Sequence, residues 1–214
     1  MELIKEDITI PVGQHIHLEG ELILPVDARG LVIFSHGSGS SRHSPRNKQV
    51  AGDLQRAGFA TLLFDLLTLE EDRVYENRFN IELLTERLVS VTRWTGRQNE
   101  VQNLPIGYFG ASTGAASALK AAARVGNFVQ AVVSRGGRPD LAIPELSGVQ
   151  TATLLLVGGD DQQVIELNEE AYARLPQPKQ LEIVPGAGHL FEEPGKLESV
   201  ARLAANWYRQ YLQA

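Results

Sequence analysis

Apolar and polar positions follow different periods in successive parts of the chain. Between residues 15 and 24, Ile16, Leu18 and Leu22 alternate with His15, His17, Glu19 and Glu21. A period of two belongs to a strand with one face covered. With Pro11-Val12-Gly13-Gln14 set between residues 3–10 and 15–24, the segment predicts two antiparallel strands joined by a turn. From residue 31 the alternation gives way to short unbroken apolar runs: LVIFS, ATLLFD, PIGYFG, QAVVS, TLLLV and LEIV. Runs of this length fit strands covered on both faces, as in a parallel sheet.

The stretches between these runs carry helical spacing. Ile81, Leu84, Leu88 and Val91 recur three and four residues apart and predict a helix over 79–95. Ser44 followed by Pro45 predicts an N-cap with proline at the first helical position, opening a helix through about residue 57. Leu197, Val200, Leu203, Ala204, Trp207 and Leu212 predict a last helix over about 196–212, most of them on one face that docks on the sheet. Residues 66–78, LLTLEEDRVYENR, are expected as the longest irregular connection. Alternating strands and helices imply right-handed crossovers and an open, mostly parallel, doubly wound α/β sheet with an N-terminal antiparallel hairpin. In such a sheet ligands bind beyond the carboxyl ends of the strands, so functional residues should follow strands. Residues 1–214 are expected to form a single domain, because the length suffices for one two-sided core and is short for two.

Composition removes several kinds of chemistry. Apolar residues make up 43% and charged residues 21%, which excludes a disordered or fibrous chain. The absence of cysteine excludes a disulfide framework, a thiolate metal site and a cysteine nucleophile, leaving oxygen and nitrogen nucleophiles. The net charge of -6, with no long basic run, argues against nucleic acid as a partner. No apolar stretch approaches the roughly 20 residues of a membrane span. The start MELIKEDITI lacks the pattern of a secretory signal, so cytoplasmic residence is the expectation.

Candidate chemistry follows the run PIGYF, which leads directly into Gly110-Ala111-Ser112-Thr113-Gly114 and then into the helix-favouring AASALKAAARV. Strand, G-x-S-x-G and helix in this order make a nucleophile elbow, a strained turn that lifts the serine hydroxyl out of the sheet above a helix amino terminus. A serine hydroxyl is a weak nucleophile at neutral pH and needs an imidazole oriented by a carboxylate. His189, in VPGAGHLFEEPG, is the only histidine after Ser112. The acid should come from TLLLVGGDD, which offers Asp160 and Asp161. Asp161 is preferred, because Asp160 extends the glycine turn and is available to cap the helix expected through 174. The order Ser112, Asp161, His189 is that of the α/β-hydrolase fold. An oxyanion would take backbone N–H groups from Thr113 and from the loop after LVIF, where Ser38 follows the His36-Gly37 pair. His36 is read as holding that loop by hydrogen bonds. His15 and His17 receive no role, and Arg42, Arg46 and Arg138 are read as structural unless the substrate is anionic.

In combination, HGSGSSRHSPRN, GASTG, VGGDD and GHLFEEPG resemble the dienelactone hydrolase-like α/β-hydrolases over nearly the whole chain. The resemblance implies a core with no large lid domain and Ser112, Asp161 and His189 as a triad. It departs at one position: dienelactone hydrolases use a cysteine nucleophile, where this chain has Ser112. The expected function is a serine hydrolase acting on a small carboxylic ester, thioester or lactone, with no cofactor and no metal. A homodimer is compatible with this reading. Two rivals are a non-catalytic α/β-hydrolase scaffold that binds a ligand or partner, and a nucleotide-binding protein using Gly37-Ser38-Gly39 and Asp65. The second lacks the third glycine of a dinucleotide fingerprint, that position being Arg42.

Overall fold

The expected hairpin runs as β1 (Leu3–Val12) and β2 (Ile16–Pro25), antiparallel from Leu3 opposite Pro25 to Val12 opposite Ile16. The turn is tighter than the sequence suggests, since Pro11 and Val12 pair within the strand and Gly13 to His15 make the reversal, with Gly13 at φ 64°. The computed structural model describes residues 3–213. The six apolar runs become β3 (Leu31–Ser35), β4 (Ala60–Phe64), β5 (Ile106–Ala111), β6 (Ala131–Arg135), β7 (Ala152–Gly158) and β8 (Lys179–Val184). Among the described residues they form one sheet with β1 and β2, in the order β1-β2-β4-β3-β5-β6-β7-β8. β2 pairs antiparallel with β4, and the strands from β4 through β8 are mutually parallel.

Alternate residues of the central strands feed opposite cores, which explains why their sequences show no alternation. Leu31 and Ile33 of β3 pack under α3 (Ile81–Thr95) and α4 (Thr113–Val125), while Val32 and Phe34 pack under α1 (Pro45–Arg56) and α6 (Lys196–Tyr211). α5 (Gln162–Arg174) covers the α3 and α4 face, with Ala171 in its core. Two tyrosines tie β5 to both layers: the Tyr108 hydroxyl bonds Thr92 Oγ1 of α3 at 2.5 Å, and Tyr208 of α6 donates to the Tyr108 carbonyl at 2.6 Å. The strand that feeds the elbow is therefore clamped from above and below.

Two expectations need correcting. LEIV lies in β8 at the sheet edge, where Ile183 is 38% exposed, so one side of this strand lacks a neighbour and its faces are only partly covered. Residues 66–78 are not irregular: Thr68 caps a short helix α2 (Leu69–Asp72) through a capping box with Glu71, and a 3-10 turn follows over Tyr75–Phe79. The signal T-x-x-E was present in the sequence. α3 accordingly starts later than 79, at Ile81, with Asn80 as its cap. Among the described residues no helix is long and apolar enough to cross a membrane.

The chain leaves β3 for β4 on one side, and β5 pairs with β3 on the other. The carboxyl ends of β3 and β5 thus flank the point where the order reverses, the place where an α/β sheet opens a crevice.

Candidate active site

Ser112 sits at that crevice, between β5 and α4, with φ 52° and ψ -124°. A residue with a Cβ in this region is strained by about 1–3 kcal/mol and stays there only when its surroundings impose it. Here the backbone is pinned on both sides: the Ser112 N–H donates to the Arg135 carbonyl at 3.2 Å, and its carbonyl accepts from the Ala115 and Arg138 N–H groups, each at 3.0 Å. Gly114 is required by a close approach, because a Cβ there would lie 2.1 Å from the Ser35 carbonyl oxygen. Ser35 and Ser117 close the same junction, their hydroxyls 2.8 Å apart and the Ser117 hydroxyl donating to the Gly114 carbonyl at 3.0 Å. Gly114→Ala is expected to cost about 3 kcal/mol or more, since backbone and not a flexible side chain is in the way. Urea denaturation would measure this, and a loss below about 1 kcal/mol would mean that the junction yields.

Asp161 and His189 meet across the ends of β7 and β8, with His189 Nδ1 2.7 Å from Asp161 Oδ2. A carboxylate accepting from Nδ1–H leaves Nε2 as the unprotonated nitrogen. The imidazole is 40% exposed and the carboxylate 18%. β7 can pass the histidine loop this closely because it ends in Gly158, where a Cβ would lie 2.4 Å from the Ala187 carbonyl oxygen. The other flank of the loop rests on Gly136, whose hypothetical Cβ would be 3.7 Å from His189 Cε1. Gly136 follows Arg135, the residue that holds the Ser112 N–H, so elbow and histidine loop share a support. Among the described residues, neither Ser112 Oγ nor His189 Nε2 has a hydrogen-bond partner. The argument that favoured Asp161 over Asp160 does not hold, although the contact goes to Asp161. Asp161, not Asp160, occupies the N-cap of α5, and its side chain turns to His189 and makes no cap bond. Asp160 is exposed.

On the opposite side of Ser112, a Cβ on Gly37 would lie 3.2 Å from Ser112 Cβ, so the loop after β3 borders Ser112 as expected. Thr113 N–H belongs to the first turn of α4, where backbone donors lack helical acceptors. Ser38 N–H does not stand open: it donates to Thr113 Oγ1 at 2.8 Å. His36 is 8% exposed and holds the loop, its Nε2 accepting from the Leu66 N–H and its Nδ1 bonding the Gly37 carbonyl, both at 3.0 Å. With Nε2 as acceptor, Nδ1 carries the proton, and burial keeps the ring neutral by lowering its pKa from 6.5.

The arginines are engaged with neighbours. Arg42 pairs with Asp65 through backbone and guanidinium, which also occupies the acid that a ribose would need. Arg46 bonds Glu192, and Arg138 grips Asp140 with two contacts of 2.8 Å. A cavity of about 660 Å³ opens beyond the loop after β3, lined among others by His15, His17, His43, Arg42, Leu69 and Glu70. Ser112 and His189 are not in its wall. The sequence reading assigned His15 and His17 no role. The available signal was their position, His15 in the turn and His17 on β2, where that strand begins next to the connection after β4.

The dienelactone hydrolase family model matches residues 18–213. The structure superposes on the crystal structure of dienelactone hydrolase from Anabaena variabilis with a TM-score of 0.96 and 51% identity, covering 100% of both chains. It is also similar in fold, at 17% identity and a TM-score of 0.79, to Est1E from Butyrivibrio proteoclasticus, covering 95% of this chain and 98% of that one. Among curated proteins, one from Mycobacterium tuberculosis that carries a provisional phosphoribosyl transferase name is 56% identical over 207 residues, or 97% of this chain. The match covers 46% of that protein, so the chain spans about half the length of the curated relatives it matches.

Proposed function

The chain belongs to the dienelactone hydrolase family of α/β-fold hydrolases, and from this we propose that it is a serine hydrolase that cleaves small carboxylic esters through an acyl-enzyme. The observation that carries the reading is the 2.7 Å contact between His189 Nδ1 and Asp161, at the same end of the sheet as the strained, backbone-pinned Ser112. In this mechanism His189 Nε2 accepts the Ser112 hydroxyl proton as Oγ attacks the ester carbonyl. Asp161 holds the imidazole in the Nδ1–H tautomer and stabilises the imidazolium that forms. The oxyanion takes the Thr113 N–H directly, and takes the Ser38 N–H as Thr113 Oγ1 gives it up. His189 then protonates the leaving alcohol, and a water activated by the same imidazole releases the acid. Every proton moves between Ser112, His189, substrate and water, so no cofactor or metal enters. Thioesters and lactones present the same carbonyl and fall within the reading, as does action as one domain in the cytoplasm.

The phosphoribosyl transferase name belongs to proteins about twice this chain's length, and nothing in the site described here supports carrying it over. The test is mass spectrometry after exposure to a fluorophosphonate, together with hydrolysis of p-nitrophenyl acetate and butyrate. A single adduct on Ser112 with loss of turnover is the expected result. An unlabelled protein that turns over neither ester would favour a ligand-binding scaffold instead.

A further inference from the structure

Asn168 of α5 is fully buried and takes no part in the acyl-enzyme steps. Its amide nitrogen shares its two hydrogens between separate elements: Nδ2 donates to the Val164 carbonyl one turn back on α5 at 2.8 Å, and to the Gly137 carbonyl at 3.0 Å. The second bond leaves the helix. Among the described residues no other side-chain hydrogen bond joins α5 to the turn at 136–138. That turn touches both sides of the site. The Arg138 N–H, next after Gly137, donates to the Ser112 carbonyl at 3.0 Å, and a Cβ on Gly136, just before it, would lie 2.9 Å from the His189 carbonyl oxygen. At its other end α5 starts from Asp161, whose carboxylate meets His189 Nδ1. One side chain therefore ties the helix that carries the acid to the turn that braces the serine and the histidine loop.

Stability alone does not select an amide at this position. Asn168 Oδ1 is buried with no partner among the described residues, and an unpaired buried polar atom costs stability that an apolar side chain of the same volume would not. Asparagine is also a weak helix former, and α5 holds it in its interior. What the amide supplies is its pair of donors.

We propose that Asn168 is a positioning residue for the reaction: by bridging α5 to the Gly136–Arg138 turn, it fixes the Asp161–His189 pair relative to Ser112. It touches no reacting atom. The inference deepens the hydrolase reading and rests on it for the effect on rate, whereas the tether itself is a matter of geometry.

Two variants test the tether. Asn168→Leu keeps the volume and removes both donors; Asn168→Thr can still bond the Val164 carbonyl through its hydroxyl but is too short for Gly137, and it serves as the readout should Asn168→Leu not fold. In each, kcat for p-nitrophenyl acetate should fall about tenfold or more with KM within about twofold of the wild type, because slight misplacement of reacting groups costs rate more than binding. A role confined to stability would lower Tm and spare kcat. Leu175→Ala, a buried position at the far end of the same helix, is the control: its Tm should drop while kcat stays within about twofold of the wild type. The other readout needs no turnover. In proton NMR the wild type should show a far-downfield His189 Nδ1–H resonance, absent from His189→Ala, and both Asn168 variants should broaden or lose it through exchange with water while keeping the wild-type circular dichroism. Wild-type kcat or a wild-type resonance in the folded Asn168 variants would overturn the proposal, as would an equal loss of kcat in Leu175→Ala. A wild type that neither hydrolyses the ester nor takes a fluorophosphonate label would sink the hydrolase reading instead, with the tether then judged on the resonance alone.

Discussion

Ser112→Ala is expected to lower kcat for p-nitrophenyl acetate by about 10⁵-fold or more, down to the residual contributed by binding and the oxyanion donors. The loss is of this size because, in the proposed mechanism, the hydroxyl oxygen forms the only covalent bond between protein and substrate, and the cysteine-free chain has no thiol to replace it. A companion substitution separates chemistry from structure. Ser112→Gly removes the same hydroxyl, but it also relieves a Cβ held at φ 52°. The Ser112 side chain makes no hydrogen bond to a described residue, so little is lost with it. Relief of about 1–3 kcal/mol of backbone strain, less the greater unfolded-state entropy of glycine, leaves a net gain of about 1 kcal/mol. The glycine variant should therefore be inactive and melt roughly 2–4 °C higher than the wild type. A catalytically silent variant that melts lower would show that the elbow stores no strain. Retained turnover in both variants would place the nucleophile elsewhere.

Asp161→Asn should reduce kcat by about 10⁴-fold with little change in KM, since the amide can donate to Nδ1 and hold the wrong tautomer. The substitution is nearly isosteric and the side chain is only partly buried, so the fold should survive. Asp160→Asn is the matched control: Asp160 is exposed and makes no side-chain hydrogen bond, and its kcat should stay within about twofold of the wild type. The reverse pattern would exchange the roles of the two aspartates. Circular dichroism on both proteins distinguishes lost chemistry from lost structure.

The membership in a hydrolase family and the doubly wound sheet were legible before any coordinates, because both are written in local signals. Apolar runs of strand length mark the buried strands, Ser44-Pro45 marks the start of α1, and a glycine-flanked serine between strand and helix marks the elbow. Two expectations failed for different reasons: one local signal was overlooked, and in the other case no local signal existed. Thr68 and Glu71 announce the cap of α2 inside a stretch taken as irregular. LEIV has the composition of an interior strand, but an edge position is a property of the sheet and not of the run.

Residues that act through partners distant in sequence were decided by the tertiary structure. Asp160 and Asp161 are adjacent and chemically identical, and only the approach of the histidine loop, allowed by Gly158, selects Asp161 for His189. The sequence pointed to Ser38 as a candidate oxyanion donor by its place after His36-Gly37, but could not reveal that Thr113 Oγ1, 75 residues away, already accepts that N–H. Nor could it distinguish Arg135 from the other arginines, since what sets it apart is that folding buries it with no carboxylate of a described residue bonded to its guanidinium. Periodicity and turn chemistry act over a few residues and determine which elements form. Distances between side chains of separate elements depend on how those elements pack, and that arrangement determined what surrounds Ser112.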